Sequence, residues 1–308
     1  MTVMQVKLGN TTLRNPVVLA AGTCGVMGEI KDAINLSTIG AITTKSITKD
    51  PRVGNAPVRM TTLSNGMLNA IGLANEGIQS FIEKQSAKAT SINATVIGSV
   101  AGDSIDGYVE VANAMNEIDG IDLVEINVSC PNTSDGLEFG GCPKRLSSLL
   151  NEIKPVLTNT GMLVKLSATP GDIRPHAKAA IECGADALTL INTIPSLAID
   201  VESRNPKISR EVGGLSGEII HPIAVRIVHE IYRDVAKEAS IPIIGTGGIM
   251  RWEDAAEFIL AGASAVGIGT ASFVNPAIAP TISKKLEKWV QRQGCNSINE
   301  LVGALSIH

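Results

Sequence analysis

The sequence predicts an α/β protein, a closed (β/α)8 TIM barrel, from three observations. Eight short apolar runs are each trailed by a stretch of helical periodicity, glycine pairs gather after the last two runs, and only some of the connections are long. The runs cover residues 17–21, 41–44, 95–100, 123–128, 162–166, 187–191, 242–245 and 265–269. Parallel strands buried on both faces read as continuous Val/Ile/Leu stretches rather than as alternation, and these do. Helical stretches fall at 76–89, 104–115, 145–157, 173–183, 219–238 and 253–260, with apolar residues three and four apart, as in Ile220, Ala224, Ile227 and Ile231.

Before the first run, Val6 and Leu8, the Gly9-Asn10 pair, and Thr12 and Leu13 read as a short N-terminal β-hairpin. Gly-Asn supplies the positive φ angles of a two-residue turn. This hairpin is expected to plug one end of the barrel. The competing architecture is an open doubly wound sheet, which places G-x-G-x-x-G after its first strand. The sequence there is Ala21-Gly22-Thr23-Cys24-Gly25, with the wrong spacing.

The chain has 308 residues, 44% hydrophobic and 18% charged, too apolar for disorder. Barrels reach this length as one unit, so a single domain spanning 1–308 is expected. Twenty-six basic against thirty acidic residues give a net charge of −4 with no basic block, which argues against nucleic acid or an anionic membrane as partner. Aromatics make up 3% of the residues and there are 30 glycines, so the core is expected to be aliphatic with close backbone approaches. The five cysteines, Cys24, Cys130, Cys142, Cys183 and Cys295, show no paired or CxxC spacing and read as reduced thiols. With neither a basic-then-apolar leader nor a continuous apolar span, the expected location is cytoplasmic.

Long connections at 46–76, 129–144 and 193–216 follow the second, fourth and sixth runs. They put loops on the C-terminal face, where barrel enzymes bind substrate. Ile243-Ile244-Gly245-Thr246-Gly247-Gly248 ends the seventh run and Val266-Gly267-Ile268-Gly269-Thr270 the eighth. Glycines there let backbone N–H groups meet an anion, and a following helix N-terminus would add its dipole, so a phosphate ester is expected. The plainer reading is a pair of tight turns.

Lys45 and Lys165 sit at the ends of apolar runs, and a lysine so placed needs an anion or a strong acceptor. A reduced flavin, with negative charge near N1 and the C2 carbonyl, is one such partner. A Schiff-base lysine of a flavin-free barrel lyase is the rival. Cys130 follows the fourth run in Asn127-Val128-Ser129-Cys130-Pro131-Asn132, where the two amides suit a planar ring of alternating carbonyl and N–H groups. A lone cysteine is more often a small buried hydrophobe, and the other four fit that description. His176, His221, His229 and His308 fall at no strand end and read as structural or surface residues. No metal ligand set is expected.

The Asn127–Asn132 motif, together with Asn69-Ala70-Ile71-Gly72-Leu73, Ile191-Asn192-Thr193, Gly213-Gly214-Leu215-Ser216-Gly217 and the Gly247-Gly248 and Gly269-Thr270 pairs, resembles class I dihydroorotate dehydrogenase. The match runs in order over nearly the whole chain. The resemblance implies FMN held by Ala21, Gly22, Lys45, Ser46, Ser99, Asn127, Lys165, Ile191, Gly217, Gly247, Gly248, Gly269 and Thr270. Ser99 stands where the family carries an asparagine, and its hydroxyl can still donate one hydrogen bond. The pyrimidine would be held by Lys45, Asn69, Ala70, Ile71, Gly72, Leu73, Asn127, Asn132, Asn192 and Thr193.

The implied reaction is oxidation of dihydroorotate to orotate in pyrimidine biosynthesis, with Cys130 as the base that takes the C5 proton while hydride leaves C6. The spellings resemble the B subtype, which is NAD-linked and partnered by an electron-transfer subunit carrying FAD and a [2Fe-2S] cluster. This chain has no cysteine set for such a cluster. The implied assembly is a heterotetramer of two of each chain around a homodimer. Alternatives are the fumarate-dependent A subtype and a dihydropyrimidine dehydrogenase-like FMN enzyme. The latter carries His after Cys-Pro, where this chain has Asn132.

Overall fold

The computed structural model describes residues 3–27, 29–128, 139–168 and 171–306. All eight apolar runs become strands of one closed parallel barrel. In chain order the strands are β1 (Val6–Leu8), β2 (Thr11–Leu13), β3 (Val17–Leu19), β4 (Ala41–Thr43), β5 (Met60–Leu63), β6 (Gly66–Asn69), β7 (Thr95–Val100), β8 (Ile121–Asn127), β9 (Gly161–Leu166), β10 (Ala187–Leu190), β11 (Ile194–Ser196), β12 (Ile199–Asp200), β13 (Asn205–Pro206), β14 (Gly213–Ser216), β15 (Ile243–Thr246) and β16 (Ala265–Ile268). The barrel closes in the order β3-β4-β7-β8-β9-β10-β15-β16, and β16 pairs back onto β3 through Val266↔Val17 and Ile268↔Leu19. Barrel strands such as β3, β10, β15 and β16 are buried throughout, which is why they read as unbroken apolar runs.

The helices are α1 (Gly77–Ala89), α2 (Ile105–Asn116), α3 (Pro143–Ile153), α4 (Arg174–Glu182), α5 (His221–Ile231), α6 (Lys237–Ala239), α7 (Trp252–Ala261), α8 (Ala271–Val274) and α9 (Ile278–Arg292). Their starts follow local chemistry. The Ser104 hydroxyl accepts from the Gly107 N–H ahead of α2, and prolines occupy the first turn of α3, α4 and α5, where their missing N–H costs nothing.

The stretch read as one helix over 219–238 is instead broken. A 3-10 turn precedes α5, and a π turn at Tyr232–Ala236 separates α5 from α6. That π turn sets Tyr232 against Gly262 and Gly303, where a Cβ would strike the ring. Helix α9 is not among the helices assigned from the sequence pattern, although Ile282, Leu286 and Val290 carry the same spacing and are fully buried.

The hairpin forms as expected, with Val6 opposite Leu13. Its tip lies against the start of β10, since a Cβ on Gly9 would come within 2.8 Å of Asp186 Cβ. That is the end of the barrel where strands begin, so the hairpin covers the face opposite the site. The long connections behave less simply. Those after β4 and β10 join into one antiparallel sheet, β5-β6-β14-β11, through Asn69↔Gly214 and Ile194↔Leu215. β12 and β13 form a separate two-residue antiparallel pair. Among the described residues, no helix is long and apolar enough to cross a membrane.

Candidate active site

The ends of seven of the eight barrel strands, all but β7, and the added sheet enclose a cavity of about 310 Å³, in the range of roughly 300–1,000 Å³ common for small-molecule sites. One wall is backbone. It is made of Ala20 to Thr23 after β3, Gly217, the Thr246–Met250 turn after β15, and Gly269 with Thr270 after β16. Gly22 has φ +80° and nothing within 4 Å of a built Cβ, while the nearest atom to a Cβ on Gly269 is 3.9 Å away. Side chains at these two positions would project into open cavity rather than into protein. Gly248, at φ +66°, fits because its Cβ position lies 2.8 Å from the Gly217 carbonyl oxygen. The Thr270 hydroxyl donates to Ser216 Oγ at 2.8 Å, and Thr246 Oγ1 is buried without a hydrogen-bond partner among the described residues. The helix expected to follow the eighth strand is the single turn α8, so the glycine turns rather than a long helix shape this wall.

The facing wall is made of side chains. Lys45 and Ser46 follow β4, Asn127 ends β8, Lys165 lies on β9, and Ile191, Asn192 and Thr193 follow β10. Asn69, Ile71 and Leu73 reach in from β6 and the turn beyond it. The amides are held in sequence. Asn192 Nδ2 donates to Asn127 Oδ1 at 3.1 Å, Asn127 Nδ2 donates to Ser46 Oγ at 3.2 Å, and the Ser46 and Ser99 hydroxyls share a hydrogen bond of 2.8 Å. Tyr108 donates to the Asn127 carbonyl at 2.7 Å. Burial lowers the Lys45 pKa below the ordinary lysine value, and the nearby Arg59 lowers it further. Lys165 Nζ stands 4.0 Å from the Glu125 carboxylate, with both side chains under a tenth exposed.

Most residues named from the sequence therefore meet around one cavity, with three corrections. Ser99 is fully buried and sits behind Ser46, so it braces the wall instead of facing the cavity. Ala70 and Gly72 also stand behind it: the Ala70 N–H donates to the Arg59 carbonyl, and Gly72, at φ +74°, packs on Asn55. Cys130 and Asn132 lie outside the described residues. The Gly140 N–H donates to the Val128 carbonyl at 3.2 Å.

Among the other thiols, Cys24 donates to the Thr43 carbonyl and burial pushes its pKa up to about 12, which makes it inert. Cys142 is exposed, and the backbone amides of Arg145 and Lys144 at the start of α3 lower its pKa. Sequence reasoning missed the apolar part of the wall, which includes Met60, Met67, Ile220, Ile249, Met250 and Phe273. It also missed Glu125, whose signal was its position two residues before Asn127 on the same strand face.

His221 is a structural residue, as expected, and it lies under the glycine turn after β15. Its Nδ1 is 3.0 Å from the Gly247 carbonyl and its Nε2 is 3.3 Å from Glu257. Asp254 lies near enough for these three to resemble a metal group. Asp254 is already occupied, accepting from the Met250 and Arg251 N–H groups at the head of α7.

The chain matches the family model for dihydroorotate dehydrogenase over residues 3–290. It is 41% identical over 305 residues to the dihydroorotate dehydrogenase B (NAD(+)), catalytic subunit, of Bacteroides thetaiotaomicron, covering 99% of each chain. It is 43% identical over 303 residues to the protein of the same name from Trichlorobacter lovleyi, covering 98% of each. In fold it is similar to Eimeria tenella DHODH in complex with ferulenol, with a TM-score of 0.81 at 22% identity over 98% of this chain and 88% of the other. On its sequence, its barrel and the residues gathered at the strand ends, the chain belongs to the dihydroorotate dehydrogenase family.

Proposed function

We propose that this chain oxidises dihydroorotate to orotate in pyrimidine biosynthesis, as the FMN-binding catalytic subunit of an NAD-linked enzyme. The observation that carries the reading is the cavity with two unlike walls. Members of this family are flavoproteins, and the residues here fit FMN: positions 22 and 269 leave open the space a Cβ would fill, and two lysines and three amides face them. Gly217, Gly247, Gly248, Gly269 and Thr270 would hold the phosphate, and Lys45, Ser46, Asn127 and Lys165 the ring. When bound, FMN supplies the acceptor for the two electrons lost from the C5–C6 bond.

The chain's own residues do the rest. Asn69, Asn127 and Asn192 match the carbonyl and N–H groups of the pyrimidine, and their hydrogen bonds to the Gly214 carbonyl, to Ser46 and between Asn192 and Asn127 fix which atoms they present. Met60, Met67 and Ile71 help keep water from the cavity. Cys130, a few residues past β8 in the sequence, takes the C5 proton, and Asn132 completes the amide set. The lyase alternative needs a neutral Lys165 amine, whereas a buried carboxylate faces that lysine.

The relatives' name, catalytic subunit, implies a second polypeptide. We place FAD and a [2Fe-2S] cluster on that partner, in a cytoplasmic heterotetramer around a homodimer of this chain. The test is purification with and without the partner. The isolated chain should be yellow and should pass electrons from dihydroorotate to dyes but not to NAD; iron and a second flavin should arrive with the partner. A chain that takes up no FMN would overturn the reading, and direct NAD reduction by the chain alone would overturn the partner's role.

A further inference from the structure

The Glu125 side chain is 3% exposed and points from β8 into the barrel. Its Oε2 accepts a hydrogen bond of 2.8 Å from the Thr189 hydroxyl on β10, while its Oε1 has no hydrogen-bond partner among the described residues. The cation facing that orphaned oxygen is Lys165 Nζ at 4.0 Å, on the intervening strand β9. A carboxylate this far from water is strongly disfavoured unless a cation compensates it, and a buried ammonium has the same need. Glu125 does not line the cavity, whereas Lys165 does. The carboxylate therefore stands behind the lysine, away from any ligand.

We infer that Glu125 is a positioning residue for Lys165: from below the cavity it supplies the countercharge that holds Lys165 in place and turned toward the ligand. It thereby sets how well the site stabilises negative charge on a bound ring. The inference rests on the flavin reading above. The surroundings sharpen the need for it. Lys45, from the end of β4, is a second cation on the same cavity, while Asn127 on β8, Thr189 on β10 and Asn192 beyond it are uncharged. A ring seated over the cavity removes what little water reaches Lys165. The Thr189 hydrogen bond decides which carboxylate oxygen is turned to the lysine.

Sulfite tests this, because it adds to bound flavin and leaves negative charge on the pyrimidine side of the ring. In the FMN-loaded chain, Glu125→Gln keeps the shape and the Thr189 contact but removes the charge. Its sulfite affinity should fall by about tenfold or more. Glu125→Asp keeps the charge and should stay close to the unmodified chain. Unchanged or tighter sulfite binding in Glu125→Gln overturns the inference. So does an equal loss in both variants, which would mark a packing role.

A second readout needs no flavin. Lys165→Met leaves the carboxylate buried alone and should lower the melting temperature, and adding Glu125→Gln in that background should raise it again. Strictly additive losses would overturn the pairing. A chain that melts as expected but takes up no FMN would overturn the flavin reading and leave the pairing intact.

Discussion

On the side of β15 and β16 the cavity wall is main chain, with glycines where side chains would intrude; on the side of β4, β8 and β9 it is lysine, serine and asparagine, cross-linked by hydrogen bonds. The two sides solve different problems. A wall of backbone holds a group by shape and by N–H donors whose position side-chain motion cannot change, and it suits a cofactor that stays. A wall of charged and amide side chains responds to charge and proton position, and it suits the part of a ligand that changes during a reaction. Substitutions on the first wall should therefore alter cofactor retention, and substitutions on the second should alter rate or ligand charge dependence.

The largest effect is expected on the reactive side. Cys130→Ser should cut dihydroorotate oxidation near neutral pH by roughly 10²–10⁴-fold, the usual worth of a general base, while FMN stays bound. Anaerobic single-turnover kinetics would measure it, and near-normal turnover would remove Cys130 as the base. On the glycine side, Gly269→Val carries a side chain into the open space without backbone strain, since its φ is not positive. FMN affinity should drop by about tenfold to a hundredfold, in line with overpacking costs of about 1–3 kcal/mol, with the melting temperature of the flavin-free chain little changed. Equal FMN affinity would separate that turn from the cofactor.

Lys45 gives a smaller and signed effect. Its pKa is lowered by burial and by Arg59, so its positive charge is lost at lower pH than for an ordinary lysine. Binding of the anionic product orotate should weaken as the pH rises through that lowered value, by about tenfold overall, and Lys45→Met should abolish the dependence. A flat orotate profile in the unmodified chain would contradict this. The smallest effect is at His221, which touches the Gly247 carbonyl from behind the backbone wall. His221→Gln should weaken FMN binding by only a few-fold, about the worth of one hydrogen bond, leaving the rate of bound enzyme unchanged. A rate defect with normal FMN binding would move His221 to the other wall.

How legible each region was follows the same division. The barrel strands were readable because burial on both faces leaves an uninterrupted apolar signal, as in 162–166 and 187–191. Gly247 and Gly248 were readable because their positive φ angles favour glycine in that turn. The sheet β5-β6-β14-β11 was not, because its pairing of Asn69 with Gly214 joins segments far apart in sequence and its strands carry no apolar alternation. Glu125 was hidden inside an apolar run: a buried charge is intelligible only once Lys165 and Thr189 are seen beside it. Ser99 was read one layer too far inward, since alternation along β7 does not say whether Ser46 stands in front of it.

The central claim is that the two walls bind one flavin and present it to dihydroorotate. The direct measurement is to load the chain with FMN, remove oxygen and add dihydroorotate. The account predicts that the oxidised-flavin absorbance disappears in a single turnover with one orotate formed per FMN. Flavin that stays bound and oxidised while dihydroorotate is in excess would contradict it.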